Sequence, residues 1–319
     1  MAVLTFNSYT RMRKRLLLTV ALALGCLCGS NLWAQTYFTE GKMLFTVTGT
    51  TPATVSVKRV NADIDGEVVI PSTVTYEGVT YSVTSIRASA FYNTAITSVT
   101  VPASVLTIGN RAFEGCKSLT GVTFLDGETE ISVVCGYYGS FYGADAEKSV
   151  YVGRNVNPSE NSCPFLNTTS VTFGDKVTEI HRNLFQNQYK LSSVTIGSGV
   201  KTIGEYAFAG SGTDETVGEM VVSMGTGVTT ITGAAFEGCR KLKSIELPST
   251  LKLIEGYAFS NADLNAVTIP ASVDSIGQRV FANNSNLVSI NIEDADKELK
   301  IYNGYYGTFY SSNADKSVY

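Results

Sequence analysis

The chain has 319 residues, 24 basic against 28 acidic, for a formal net charge of −4, and only 16% of it is charged. It holds a single His, His181, and a single Trp, Trp33. An acidic chain lacks the basic face that a nucleic-acid binder needs. One His is too little raw material for a His-rich metal site or a His-based triad, and a 44% hydrophobic composition is the opposite of a disordered chain's.

Reading begins with residues 1–34. Arg11, Arg13, Lys14 and Arg15 precede the apolar run Leu16 to Leu24, and small and polar residues then lead to Trp33-Ala34-Gln35. A basic start, a short apolar core and a small residue before a cut form the pattern of an export signal. The run is shorter than the roughly 20 apolar residues of a membrane-spanning helix. Cleavage after Ala34 leaves 20 basic against 28 acidic residues. The alternative is Ala23-Leu24-Gly25-Cys26, which resembles a bacterial lipobox in which Cys26 is lipidated and becomes the first residue. Both routes predict a secreted or cell-surface protein, attached to a membrane only if Cys26 carries lipid. Cleavage after Ala34 leaves Cys116, Cys135, Cys163 and Cys239, without a C-x-x-C pair or metal-ligand spacing, so no metal and no cofactor is expected.

The body of the chain is a repeat. Ala90-Phe91, Ala112-Phe113, Ala207-Phe208, Ala235-Phe236, Ala258-Phe259 and Val280-Phe281 mark it, and Phe141, Phe165, Phe185 and Phe309 extend the series. Successive Phe residues are 22, 28, 24, 20, 23, 28, 23, 22 and 28 apart, which predicts about ten turns of a solenoid. Between them runs a period-two segment such as Ile245-Glu246-Leu247 before Pro248, read as a strand ended by proline. Leu251 and Ile254 follow, and the Ala-Phe pair is expected on a short helical or turn segment with its ring inward. No unit has enough apolar surface to fold alone, so stacking must make the core.

Leu264-Asn265-Ala266-Val267-Thr268-Ile269-Pro270-Ala271-Ser272-Val273-Asp274-Ser275-Ile276-Gly277, with the Phe that follows, resembles the BspA-like leucine-rich repeats of bacterial surface proteins. The likeness runs from about residue 80 to 319. It implies a mainly β leucine-rich repeat solenoid, with short strands and small helical or turn segments, and a surface protein that recognises extracellular proteins or other bacteria. The generic ladder position of such repeats is read as Cys116 and Cys239 in two turns and as Asn93 and Asn261 in others, with the two Cys expected as small buried residues. The exported address also allows a disulfide at Cys135 and Cys163.

Residues 35–80 precede the first clean repeat. Met43 to Thr48 and Val55 to Val60 read as strands around Gly49-Thr50-Thr51-Pro52, an expected N-terminal β cap ahead of a solenoid over 81–319. Tyr319 falls inside a unit, because its counterpart Tyr151 runs on into Val152-Gly153, so the array is expected to continue. That counterpart relation is a longer period of 168 residues, carrying Phe91, Phe113 and Phe141 onto Phe259, Phe281 and Phe309. Over 136–151, eleven of sixteen residues recur at this offset, so the two long units carry the same insertion.

The insertions hold Gly136-Tyr137-Tyr138-Gly139 with Tyr142, and Gly304-Tyr305-Tyr306-Gly307 with Tyr310. Tyr offers a large rigid area and a hydroxyl, and flanking glycines allow a tight turn. Tyr137, Tyr138, Tyr142, Tyr305, Tyr306 and Tyr310 are therefore the candidate contact residues, with packing of the longer turn as the other reading. No catalytic group is expected. His181 stands where the repeat places Gly and is read as solvent-facing, and Glu128, Glu130, Asp294 and Asp296 show no recurring paired geometry. Two functions remain: adhesion to an extracellular protein through the solenoid face, or glycan binding in carbohydrate capture. The absence of Trp after residue 33 weighs against the second.

Overall fold

The computed structural model describes residues 36–61, 63–159, 164–302 and 307–312. Among them every regular element is a strand and the Ala-Phe segments are turns, so of helix and turn the turn is the form built. One strand per turn stacks into a parallel front sheet: Asp65–Val69, Ala95–Val101, Gly121–Phe124, Lys148–Val152, Thr168–Phe173, Ser193–Ile196 and Val221–Ser223. Ala266–Ile269 and Ser289–Ile292 form a second, two-stranded piece. Alternation sets the faces. Val99, Val122, Val150, Val171, Val194 and Val222 lie in one register column and are buried.

Strands that are short after the first, Val79–Ile86, make the back of the solenoid. Val79–Ile86, Thr107–Ile108, Ile131–Val133 and Val156–Pro158 form one run, and Glu179–Ile180, Thr202–Ile203, Thr230–Ile231, Leu253–Ile254, Ser275–Ile276 and Lys300–Ile301 another. Ahead of them Tyr37–Glu40, Met43–Thr50 and Ala53–Arg59 pair antiparallel, and the last runs parallel to Val79–Ile86. Phe38 stacks on Tyr76 at 4.5 Å and on Phe45 at 5.6 Å, packing the first end of the core with aromatic area.

The third side is the phenylalanine edge. Ten rings, Phe91 to Phe309, stack in chain order with neighbouring centroids 5.0 to 6.1 Å apart. Eight steps are within 14° of parallel, and the step from Phe141 to Phe165 is tilted by 45°. Each ring contributes roughly 1.5–3 kcal/mol by burial and a stacked pair about 0.5–1.5 kcal/mol more. The backbone repeats beside the rings. The N–H of Phe185, Phe208, Phe236 and Phe259 donates to the carbonyl of Ala207, Ala235, Ala258 and Val280, at 2.8 to 2.9 Å.

Three residues after each Phe lies a second buried ladder. Thr94, Cys116, Gln188, Ser211, Cys239 and Asn284 each donate to a Phe carbonyl of the same or the preceding turn, as Cys116 Sγ does to Phe91 at 3.0 Å and Asn284 Nδ2 to Phe259 at 2.8 Å. These side chains add a second tie between neighbouring turns at the Phe carbonyls, most of which accept no backbone N–H, Phe208 being an exception that also accepts from Ser211. Cys116 and Cys239 are fully buried, and desolvation pushes the Cys239 thiol up to about 12. The register of Asn93 and Asn261 is corrected here: they precede the ladder by one residue, at φ of 52° and 55°. Thr94 and Ala262 occupy the ladder position, and Asn sits before it because it tolerates the left-handed conformation that ends the Phe turn.

One expected strand is absent. Ile245 is buried and Leu247 packs on the core, but the segment makes no ladder and the front sheet divides there. In neighbouring turns the residue after the strand bonds back to the previous turn, as Gly174 N–H does to Val152 at 2.8 Å and Glu293 N–H to Ile269 at 3.0 Å. Pro248 and Pro270 occupy that position and have no N–H to give, but Pro102 does so after the paired strand Ala95–Val101, so proline alone does not divide the sheet.

Candidate functional site

The sequence-selected tyrosines fall on the outside of the phenylalanine edge. The long turn leaves its short strand at Val133, bends at Gly136 with φ of 80° and closes with Gly139 N–H on the Gly136 carbonyl at 2.9 Å. A side chain at Gly139 would press on the backbone of Cys135 and Gly136 at 3.0 Å, so glycine fits this turn without displacing its neighbours. Lys148 fixes the insertion from behind: it is buried and donates to the carbonyls of Ala144, Ala146 and Leu166 at 2.7, 2.6 and 2.5 Å. Arg154, also buried, donates to Ala103 and Pro102, and desolvation lowers it to about 10.

On this backbone Tyr137, Tyr138 and Tyr142 form one cluster. Their centroids are 4.1 Å (137 to 138), 5.2 Å (137 to 142) and 6.0 Å (138 to 142) apart, all at steep angles. They are 73%, 43% and 38% exposed. Beside them opens a cleft of about 270 Å³ whose lining includes Tyr137, Tyr142, Pro164 and Leu166, with buried Phe141 and Cys135. Tyr310, 43% exposed, stands seven turns further along the same edge. Cys26, Ala34, Cys163, Tyr305 and Tyr306 lie outside the described residues.

Sequence reasoning missed the cation in this cluster. Arg111 lies between two tyrosines, its guanidinium carbon 5.3 Å from the Tyr92 ring and 4.7 Å from that of Tyr138. Glu114 holds it in a fork, Nε to Oε2 at 2.5 Å and Nη2 to Oε1 at 3.0 Å, and the hydrogen bond raises Arg111 above its ordinary range. Tyr138 is raised from the usual phenol value, first by its hydrogen bond with Tyr137 and then by desolvation. The signal was available in the 168-residue period, which carries Arg111 onto Arg279. Arg279 again lies between two tyrosines, 5.6 Å from Tyr257 and 5.2 Å from Tyr310, with Nη1 donating to the Tyr257 hydroxyl at 3.3 Å. Ala282 stands where the first stack has Glu114.

His181 lies at the surface, partly exposed, and is paired there. Its Nε2 is 3.0 Å from Glu130 Oε2, with the side chain 22% exposed, and Glu130 Oε1 accepts from Asn157 at 2.8 Å. Glu128 pairs with Lys176 at 2.6 Å. Among the described residues no group of three His, Cys, Asp or Glu is placed to hold a metal ion, and no helix is long and apolar enough to cross a membrane.

Known proteins resemble this chain at the level of the repeat. A cell surface leucine-rich protein of Faecalibacterium prausnitzii is 21% identical over 80% of this chain and 76% of its own, with a TM-score of 0.41. The pneumococcal vaccine antigen PcpA is 18% identical over 88% and 86%, with a TM-score of 0.33. A leucine-rich repeat protein of Bacteroides ovatus is 18% identical over 81% and 90%, with a TM-score of 0.28. No curated protein matches the chain. The BspA type leucine rich repeat region, in six copies, matches residues 84–215 and 220–316, most of the length, and the chain belongs to that family.

Proposed function

We propose that this protein is an exported, non-enzymatic binding protein that adheres to a macromolecule outside the cell through its tyrosine-bearing edge. The observation that carries the reading is the cluster of Tyr137, Tyr138 and Tyr142, mutually packed yet exposed, on a turn pinned from behind by Lys148. Rigid aromatic rings beside an Arg supply contact area at small entropic cost. An open edge along a solenoid suits an extended partner better than a small molecule enclosed in a pocket. Export rests on the leader at residues 1–34, with cleavage after Ala34 or lipidation of Cys26 deciding between release and anchoring.

The test uses purified residues 35–319 against immobilised extracellular-matrix proteins and polysaccharides at two salt concentrations. Saturable binding is expected, with weak salt dependence because Arg111 is neutralised by Glu114. The variant Tyr137→Ala/Tyr138→Ala/Tyr142→Ala is expected to lose binding with an unchanged circular dichroism spectrum. Undiminished binding by that variant contradicts the reading, and turnover of the bound polymer contradicts its non-enzymatic part.

A further inference from the structure

The two Tyr–Arg–Tyr stacks share an Arg at equivalent positions of the 168-residue period and draw their tyrosines from different positions of the turn. In each, the Arg comes from one turn and a tyrosine from the turn on either side: Tyr92, Arg111 and Tyr138, then Tyr257, Arg279 and Tyr310. Both sit on the same edge, because the Phe rings behind them belong to one continuous ladder. Seven turns at a strand spacing of about 4.8 Å put them roughly 34 Å apart. The strip between them carries one ion pair and two further carboxylates, Glu237 and the exposed Glu255. It carries Leu166, Gln186 and Tyr206, its Arg182 is paired with Glu205 at 3.0 Å, and Glu237 is half-buried.

We propose that the phenylalanine edge is a track for an extended, uncharged polysaccharide gripped at two Tyr–Arg–Tyr stations about 34 Å apart. The inference rests on the reading that the edge is the binding surface and adds the chemistry of the partner. The exposed rings beside the guanidinium, Tyr137 and Tyr142, receive the C–H faces of pyranose rings, while the phenol, guanidinium and amide groups beside them bond to hydroxyls. Glu114 neutralises Arg111, and the carboxylates of Glu237 and Glu255 along the strip disfavour nucleic acid and other acidic polymers. An extended β-linked chain advances by about one strand spacing per ring, so about one sugar meets each turn and the stations are about seven rings apart. A chain long enough to reach both gains avidity, since the second contact forms at a high effective concentration.

The experiment is calorimetric titration of the full chain with β-1,4-linked gluco- and manno-oligosaccharides of increasing length. Affinity is expected to step up by about tenfold or more once the chain exceeds about seven rings. Arg279→Ala and, separately, the exposed Tyr310→Ala are expected to bring the long-chain affinity down to the short-chain value, with melting curves confirming a folded protein. Affinity independent of length, or no binding to any of these sugars, overturns the inference. Tyrosine-dependent binding to a matrix protein instead overturns the polysaccharide and leaves the edge reading standing. Binding lost on Thr172→Ala/Thr195→Ala, on the outward face of the front sheet, and kept on the tyrosine variants overturns both.

Discussion

The inside and the outside of one edge obey different rules. Inside, Phe recurs in all ten turns and its rings stack within 5.0 to 6.1 Å, because each ring is at once a core residue and its neighbours' packing surface. Outside, where the residue after Phe reaches the surface, it is Tyr92, Tyr142, Leu166, Gln186, Glu237 and Tyr310. The buried side is held to one residue by the stacking of the array, and the exposed side is free to diversify, so chemistry particular to this chain must be sought there.

Four substitutions sharpen or break that contrast. Phe208→Ala removes a ring from the middle of the ladder and is expected to cost about 3–5 kcal/mol in denaturant unfolding; an unchanged midpoint would mean that the ladder does not carry the core. Tyr137→Ala/Tyr138→Ala is expected to weaken binding by about tenfold or more while shifting stability by less than about 1 kcal/mol. Ala234→Gly, at φ of 55° with a buried side chain, is expected to add about 0.5–1 kcal/mol by relieving left-handed strain, and a loss would refute that assignment.

Glu237→Gln gives the smallest effect and one with a sign. Burial raises the Glu237 carboxyl in the folded protein, so its stabilising contribution is complete below the unfolded value of about 4.3 and fades as pH rises through the folded value. Gln at this position is expected to stabilise the protein at neutral pH and to lose that advantage in acid. An advantage that grows in acid would contradict burial as the cause.

The fold was legible in the sequence to the extent that it depends on residues repeating at like positions. The Phe series announces itself by type and spacing. The buried ladder three residues after Phe was misplaced at Asn93 and Asn261 because Thr94, Cys116, Gln188 and Asn284 share a role and no side-chain type. Contacts that join different turns were illegible for a related reason: Arg111 meets Tyr92 and Tyr138, and His181 meets Glu130 51 residues away, at separations fixed only once the turns are stacked. The tyrosine cluster was found because composition and glycine spacing were enough to mark it, but its cation was not.

The most direct test of the central claim, that the phenylalanine edge carries the core on one side and the binding surface on the other, is tyrosine nitration read by mass spectrometry with and without bound polymer. Tyr137, Tyr138, Tyr142 and Tyr310 are expected to be protected, while Tyr151 on the front sheet reacts as before. Protection of Tyr151 with the edge tyrosines unchanged would move the binding surface to the sheet and contradict the account.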